Sequence, residues 1–201
     1  MKFDPVHDAQ SIFRSLLAAH SFPGTLRDIK NESSRIDPEL GLDKGLAALA
    51  LTLVDGEVAF SWIATDSEPA SRKDSETVAK LCSSEAVDAT AADFVFAASG
   101  IGSVVEAFLK AKEGDLVDPD RGATVIALAD ALMAGGPLVA RGPGIKDAAR
   151  FTVEFGDGRS EDWMDARAGR NVEFPLGVDL ILVDRSGRLM AFPRSVKLGR
   201  A

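Results

Sequence analysis

Apolar residues recur along the first part of the chain with the period of an α-helix. Asp4-Pro5 predicts a helix start, because aspartate caps helices and proline fits the first helical turn. We expect this helix to continue to about His20. A second helix is predicted over residues 42–54, where the sequence is apolar almost all round and typical of a buried helix. The apolar positions on one face of the first helix are Ile12, Phe13, Leu16 and Leu17.

The rest of the chain alternates between strand and helix patterns. Helices are predicted over residues 76–82, 103–111 and 160–168, and Ser103 should cap the second of these. Two polar stretches, residues 64–75 and 112–122, are predicted loops. Short apolar runs bounded by turn residues predict strands. These runs are residues 58–63, 93–98, 123–129, 138–141, 151–155, 178–183 and 189–192.

Strands that alternate with helices predict the α/β fold class, with helices on both faces of a layered sheet. The last two predicted strands are joined by Asp184-Arg185-Ser186-Gly187, which is typical of the turn of an antiparallel hairpin. The sheet should therefore be mixed. The sequence has no internal repeat and no linker long enough to divide it. We expect a single α/β/α domain over residues 1–201.

The charge balance makes several partners improbable. The chain has 31 acidic and 23 basic residues and a net charge of −8, which repels the phosphates of nucleic acids. No apolar run approaches the ~20 residues of a membrane span. The sequence begins without the apolar segment of a secretory signal. We therefore expect a cytoplasmic protein that binds neither nucleic acid nor a membrane.

Cysteine and histidine are too few for metal chemistry within this chain. Cys82 is the only cysteine, and His7 and His20 are the only histidines. A disulfide within the chain, a cysteine zinc site or an iron–sulfur cluster would each need more cysteines. We expect no metal site, so any metal or radical step belongs to another chain.

Two glycine-rich turns are candidates for contact with a phosphate. Residues 99–103 lie between a predicted strand and a predicted helix, as dinucleotide-binding loops do, but the third glycine of that motif is missing. An ordinary turn is the alternative. In the second turn Arg141 and Lys146 flank Gly142 and Gly144, and such a turn can form an anion-binding nest beside an arginine. A tight turn with solvated charges is the alternative there.

Asp179 and Arg194 are placed beside two of the predicted strands. A carboxylate buried at the start of a strand needs a partner, so Asp179 is interpreted as a structural residue that orients Arg194 or caps a turn. Arg194 directly follows a strand, and open α/β sheets place ligands beyond strand ends. The residues alone leave both roles open.

Short motifs recur in a fixed order along nearly the whole chain. The motifs are Asp8-Ala9-Gln10, Phe13-Arg14, Leu16-Leu17, Ser21-Phe22-Pro23-Gly24, Leu51-Thr52-Leu53-Val54-Asp55, Gly122-Ala123-Thr124, Gly142-Pro143-Gly144-Ile145, Phe174-Pro175-Leu176-Gly177-Val178-Asp179-Leu180-Ile181-Leu182 and Phe192-Pro193-Arg194. This ordered set resembles the PhnH family, a subunit of bacterial carbon–phosphorus lyase. Residues 65–92 match that family poorly.

The resemblance implies a subunit that has no activity alone. The family acts in a complex with PhnG, PhnI and PhnJ that lets bacteria use phosphonates as a phosphorus source. That complex transfers an alkylphosphonate onto the ribose of ATP with loss of adenine. The resemblance also implies a homodimer and a fold similar to pyridoxal-phosphate-dependent transferases without that cofactor, so we expect no cofactor.

No catalytic residue is implied by the resemblance. The candidate ligand residues are those where the family motifs and the reasoning about anions coincide. They are Arg14, Arg141, Gly142, Gly144, Asp179 and Arg194.

Three hypotheses of function follow from the sequence. An assembly subunit should expose apolar surface where its partners bind. A ligand-binding subunit should hold ATP or a phosphonate near the turn at Gly142–Ile145 and Arg194. A pyridoxal-phosphate enzyme would need a Schiff-base lysine, for which Lys146 is the candidate.

Overall fold

The computed structural model describes residues 2–64, 68–156 and 162–200. Its helices are α1 His7–Ser21, α2 Lys30–Ser33, α3 Lys44–Leu53, α4 Glu68–Cys82, α5 Gly100–Lys110 and α6 Asp162–Arg170. Its strands are β1 Arg27–Asp28, β2 Ala59–Ala64, β3 Glu85–Ala86, β4 Phe94–Ser99, β5 Thr124–Ala129, β6 Ala131–Arg141, β7 Ala149–Glu154, β8 Asp179–Asp184, β9 Arg188–Phe192 and β10 Lys197–Arg200. Single 3-10 turns lie at Pro38–Leu40 and Pro119–Arg121.

The larger sheet is mixed and has the strand order β1-β9-β8-β5-β4-β2-β3. Strands β3, β2, β4, β5 and β8 pair in parallel. Strand β9 runs antiparallel to β8, and β1 runs antiparallel to β9. The turn between β8 and β9 is closed by Gly187 N–H, which donates to Asp184 O at 2.9 Å. The predicted α/β class, mixed sheet and C-terminal hairpin are therefore confirmed.

Successive residues of each central strand point to opposite faces of this sheet, as strand geometry requires. In β5, Ile126 and Leu128 join the apolar cluster of α1, α3 and α4. Val125 and Ala127 join the cluster of α5, α6 and the second sheet. The five residues of β5 from Val125 to Ala129 are buried, as expected for a strand covered on both faces. Helices on both faces of the sheet are confirmed.

A second, three-stranded sheet lies on the same face as α5 and α6. Strand β6 pairs antiparallel with both β7 and β10. The aromatic rings of Phe151 and Phe192 join the two sheets, with centroids 4.8 Å apart. The predicted strand at 138–141 was too short, because β6 begins at Ala131. Its register shifts between Ala134 and Leu138, so the apolar alternation is interrupted there.

The predicted loop at 64–75 is wrong from residue 68 onward, and residues 65–67 lie outside the described residues. Helix α4 begins at Glu68, eight residues before the predicted start at Glu76. The residues of the added turns are polar, so few apolar residues recur there at the spacing of a helix. They are fixed by Ser71, whose hydroxyl donates to the Trp62 carbonyl at 2.7 Å.

The predicted cap of α5 is also wrong. The helix begins at Gly100, three residues before Ser103. The Ser103 hydroxyl donates to Gly100 O at 2.9 Å and accepts from Ser99 N–H at 3.2 Å. It closes the first turn from within the helix. The glycine turn at 99–103 is thus the last residue of β4 and the first turn of α5.

The predicted face of α1 is only half correct. Ile12 and Leu16 are buried, whereas Phe13 and Leu17 are 48% and 52% exposed. The helix begins at His7 with Val6 at its N-cap, so the start predicted at Asp4-Pro5 is too early, although the Asp4 carboxylate accepts from His7 N–H at 3.0 Å. The helix predicted at 160–168 is observed as α6, with residues 160–161 outside the described part. The short elements β1, α2, β3 and β10 had no apolar pattern long enough to predict them.

Candidate functional site

Asp179 and Arg194 form one ion pair, as the structural interpretation of Asp179 predicted. Arg194 Nη2 lies 2.8 Å from Asp179 Oδ2, and the backbone N–H of Arg194 donates to Asp179 Oδ1 at 2.6 Å. The guanidinium also donates to the carbonyl of Pro119 at 2.6 Å and is 3.4 Å from that of Gly122. The pair therefore ties the end of β9 to the start of β8 and to the turn before β5.

This pair lies at the amino-terminal edge of the parallel strands. Asp179 is the first residue of β8, and Gly122 comes shortly before β5. Arg194 reaches the same edge because it follows β9, which runs antiparallel to β8. Open parallel sheets place ligands at the opposite edge, outside the carboxyl ends of the strands. Arg194 thus follows a strand end without lying in that crevice.

The turn at residues 142–145 packs tightly against the end of α1 and the residues just after it. Gly144 has φ +80°, and a Cβ there would lie 2.7 Å from the carbonyl oxygen of Ser21. Ile145 N–H donates to Gly142 O at 3.2 Å, so one amide of the turn is already used. Arg141 and Lys146 are exposed. Packing against Ser21 is sufficient to explain the glycine at position 144.

Substituting Gly144 by alanine should destabilise the fold by about 2–3 kcal/mol. The left-handed backbone costs alanine about 1 kcal/mol, and the clash with Ser21 adds an overpacking cost. The matched control is Gly41→Ala, since Gly41 has φ +74° but a Cβ there would meet nothing within 4 Å among the described residues. Urea unfolding of both variants separates the two costs. Equal losses would show that Ser21 does not constrain the turn.

A cleft of about 610 Å³ lies between α6, the segment after it and β10. Arg167, Asn171 and Lys197 supply polar groups to its wall. The cleft opens beside Phe174, whose peptide bond to Pro175 is cis. Its lining residues are Met164, Arg167, Ala168, Asn171, Val172, Phe174, Leu176, Arg194, Ser195, Val196, Lys197 and Leu198.

Arg167 is the buried charge of this cleft, with an exposed fraction of 2%. Its guanidinium donates to three carbonyls, those of Val196 at 2.9 Å, Phe192 at 3.1 Å and Pro193 at 2.9 Å. Burial lowers the pKa of Arg167 to about 10, and the nearby charge of Asp179 partly opposes that shift. The group stays charged at neutral pH. Arg167 therefore holds in place the backbone on either side of Arg194, which forms part of the wall of the cleft.

Exposed apolar side chains lie on two segments near the cleft, and two of them, Val172 and Phe174, line it. Arg170 joins the two segments that carry them, because it donates to Phe108 O at 2.7 Å and pairs with Glu113 at 2.7 Å. Gly177 N–H donates to Glu113 O at 2.9 Å in the same region. We call these side chains the α5–α6 apolar patch. They are Leu109 (59% exposed), Leu116 (70%), Val117 (87%), Val172 (80%) and Phe174 (73%).

The sequence-predicted site residues do not all meet in one place. Asp179 and Arg194 are in contact, and a Cβ on Gly142 would lie 3.0 Å from Val196 Cα, so this turn packs beside the residues after Arg194. Arg14 lies on α1, which covers the other face of the larger sheet, and lines a separate groove. These positions stay predictions as ligand residues.

Sequence reasoning missed Arg167 and the α5–α6 apolar patch. Arginine is a residue type that is usually exposed, so Arg167 was not expected in the core. Its position one helical turn after Trp163, which is also buried, was the available signal. Phe174 begins a family motif and Val172 lies two residues before it. Two apolar residues in a segment rich in charge were the available signal. The thiol of Cys82 is partly buried, and burial raises its pKa to about 11.

The described residues contain neither a metal-binding cluster nor a membrane-spanning helix. Within residues 2–64, 68–156 and 162–200, no three His, Cys, Asp or Glu side chains cluster so that they could hold a metal ion. In the same part of the chain, no helix combines the length and the apolar character needed to cross a bilayer.

The fold and site define an α/β protein whose candidate site is an open cleft with an apolar rim and a structural aspartate–arginine pair. A family model, described as bacterial phosphonate metabolism protein (PhnH), matches residues 2–199. The chain therefore belongs to the PhnH family.

Two curated relatives match along almost the whole chain. One is the alpha-D-ribose 1-methylphosphonate 5-triphosphate synthase subunit PhnH of Rhizobium meliloti (strain 1021), 31% identical over 197 residues that cover 98% of this chain and 93% of the relative. The other is the putative C-P lyase subunit protein HtxG of Stutzerimonas stutzeri, 30% identical over 190 residues that cover 94% and 85%. The family predicted from the ordered motifs is thereby confirmed.

Proposed function

We propose that this chain is a subunit of a carbon–phosphorus lyase complex in the catabolism of organic phosphonates. Its contribution is to support the transfer of an alkylphosphonate onto the ribose of ATP with loss of adenine. The printed names of both relatives support this proposal, since one is a ribose methylphosphonate triphosphate synthase subunit and the other a C-P lyase subunit. The proposed partners are PhnG, PhnI and PhnJ, and the proposed compartment is the cytoplasm.

The observation that carries the role of a subunit is the α5–α6 apolar patch. Its five large apolar side chains lie on two segments that Arg170 and Glu113 hold side by side. Large apolar side chains left exposed on neighbouring segments are typical of a protein interface. Phe174 is the side chain best suited to anchor a partner, because buried aromatic residues dominate interface energies. We infer that a partner subunit covers this patch.

The same proposal includes three finer points, of which the homodimer and the similarity of fold are implied by the resemblance to the family. The chain forms a homodimer, and residues 1–201 act as one domain. The fold is similar to that of pyridoxal-phosphate-dependent transferases without the cofactor. The two apolar clusters share the larger sheet between them, which supports a single domain. Lys146, the candidate Schiff-base lysine, is exposed on its turn. A Schiff-base lysine works in a site shielded from water, so its exposure does not support the hypothesis of a pyridoxal-phosphate enzyme.

The alternative is a nucleotide or phosphonate site near the turn at residues 142–145. It requires arginine side chains that are not already paired within the protein. Arg194 would have to give up Asp179 or the carbonyl of Pro119 to hold a phosphate. Arg141 is exposed and available. One exposed arginine provides a weak anion site, because water competes with the ligand for it. The assembly role is therefore the better-supported of the two.

Co-purification tests the proposed assembly. The chain would be co-expressed with tagged PhnG, PhnI and PhnJ, and the amount retained would be measured against the tagged subunits. We expect retention of the wild-type chain and about tenfold weaker binding for Phe174→Ser, because an interface anchor contributes 1 kcal/mol or more. The matched control is Phe13→Ser, an exposed phenylalanine on the other side of the larger sheet.

Each outcome of this experiment bears on a separate claim. Failure of the wild-type chain to co-purify would reject the assembly role. Retention of Phe174→Ser at the wild-type level would move the interface away from the α5–α6 apolar patch. Equal losses in both variants, with the native fold checked by circular dichroism, would show that neither phenylalanine defines the surface.

A further inference from the structure

A small groove beside α1 is lined by two arginines that have no anionic partner among the described residues. Arg14 on α1 and Arg27 on β1 line it with His7, Gln10 and Ser15, and its volume is about 310 Å³. Within the part of the chain that the structure describes, neither guanidinium makes an ion pair or a side-chain hydrogen bond. The net charge of −8 makes this notable, because carboxylates are in excess.

Arg27 is the more informative of the two residues. It is half-buried on an edge strand, and its Nε is shielded from solvent without an acceptor among the described residues. A buried donor left without a partner costs free energy, so it calls for an explanation. By contrast, Arg170, Arg185 and Arg194 are each paired with a carboxylate within 3.0 Å. The exposed remainder of the Arg27 side chain lines the groove, where an acidic ligand would pair with its charge.

Three further hydrogen-bonding side chains line the groove, and its size limits the ligands that fit. His7, Gln10 and Ser15 line the same wall as Arg14. Glu32 brings a carboxylate to Ser11, whose hydroxyl donates to it at 2.6 Å. That carboxylate opposes an anion, so both arginines are needed to make the groove attractive to one. The volume is near the lower limit for small-molecule sites, which favours a compact ligand group.

We propose that this groove binds a tetrahedral oxyanion, a phosphate or phosphonate group, between the guanidinium groups of Arg14 and Arg27. Arginine matches such oxyanions because its planar fork donates two parallel hydrogen bonds. The site goes beyond the proposed assembly role, because it lies on the other face of the larger sheet from the α5–α6 apolar patch. It brings Arg14 together with Arg27 and His7, and it does not involve Asp179 or Arg194.

Isothermal titration of the purified full chain tests this site. The probes are inorganic phosphate, methylphosphonate and ATP, each in chloride buffer. We expect saturable binding of phosphate, weakened at least tenfold in Arg14→Ala and in Arg27→Lys, where the charge stays but the fork is lost. Arg150→Ala is the matched control, an exposed arginine of β7 that should bind like the wild-type chain. Phosphate should also raise the melting temperature of the wild-type chain more than that of either variant.

The probes separate the sources of the oxyanion. Equal affinity for phosphate and methylphosphonate would support a site for one free tetrahedral group. Much tighter binding of ATP, lost in the same two variants, would support a site for the phosphate of a nucleotide. No saturable heat with any probe up to about 10 mM, which corresponds to a binding free energy weaker than roughly −3 kcal/mol, would overturn the proposal. An equal loss in Arg150→Ala would overturn it as well, because the binding would then be general to surface arginines.

Discussion

Replacing Arg167 by alanine should destabilise the fold by about 3–5 kcal/mol. The substitution removes three hydrogen bonds and leaves the carbonyls of Phe192, Pro193 and Val196 without their donor. Each buried carbonyl left unpaired costs about 1–3 kcal/mol, and the loss of a buried side chain adds a cavity. Relief from burying a charge offsets part of this cost. The measurement is the free energy of unfolding in urea.

Two further variants identify the cause of that loss. Arg167→Met fills most of the volume but donates no hydrogen bond, so it should still lose about 2 kcal/mol. Arg150→Ala removes an exposed arginine and should change stability by less than about 0.5 kcal/mol. Wild-type stability in Arg167→Met would contradict the argument, because packing alone would then hold the chain around Arg194.

Arg167 also shows what sequence reasoning could not reach. Periodicity identifies strands buried on both faces, such as β5 and β8, because their residues are uniformly apolar. It cannot identify a buried arginine, since burial of that charge depends on carbonyls contributed by Phe192, Pro193 and Val196, about 25 residues away in sequence. The α/β class, the mixed sheet and the C-terminal hairpin were predictable for this reason. The base of the cleft was not.

Local signals also failed where tertiary contacts outweighed them. The first turns of α4 are polar, and the contact of Ser71 with the Trp62 carbonyl fixes them from outside the helix. Ser103 has the residue type of a cap, yet its hydroxyl acts inside α5. Tertiary packing also decides which apolar residues of α1 are buried. Its buried face follows Ile12 and Leu16, and Phe13 and Leu17 extend the apolar pattern onto a solvent-exposed side.

The candidate site was predictable in part. Asp179 and Arg194 were identified from their positions beside strands, and their ion pair is confirmed. The edge on which they lie required the strand order, because an antiparallel β9 brings Arg194 to the amino-terminal edge. Arg27 gave no sequence signal, since a two-residue edge strand has no period. Its proximity to Arg14 follows only from the way α1 packs beside β1.

The coupling between Asp179 and Arg194 should be about 2 kcal/mol in a double-mutant cycle. Asp179→Ala leaves the largely buried guanidinium of Arg194 without its carboxylate, and Arg194→Ala leaves the carboxylate with one backbone donor. Each single variant should lose about 2–4 kcal/mol, and the double variant less than their sum. The free energies of unfolding in urea give the coupling directly.

The control cycle is the exposed pair of Arg72 and Glu76, whose side chains are 83% and 59% exposed. Solvent screens such a pair, so its coupling should be below about 0.5 kcal/mol. A coupling between Asp179 and Arg194 as small as this would contradict the structural role of the pair. Arg194 would then be free to hold a ligand, and Arg194→Ala should lower phosphate affinity without lowering stability. A coupling near 2 kcal/mol instead assigns Arg194 to the framework that connects β8, β9 and the turn before β5.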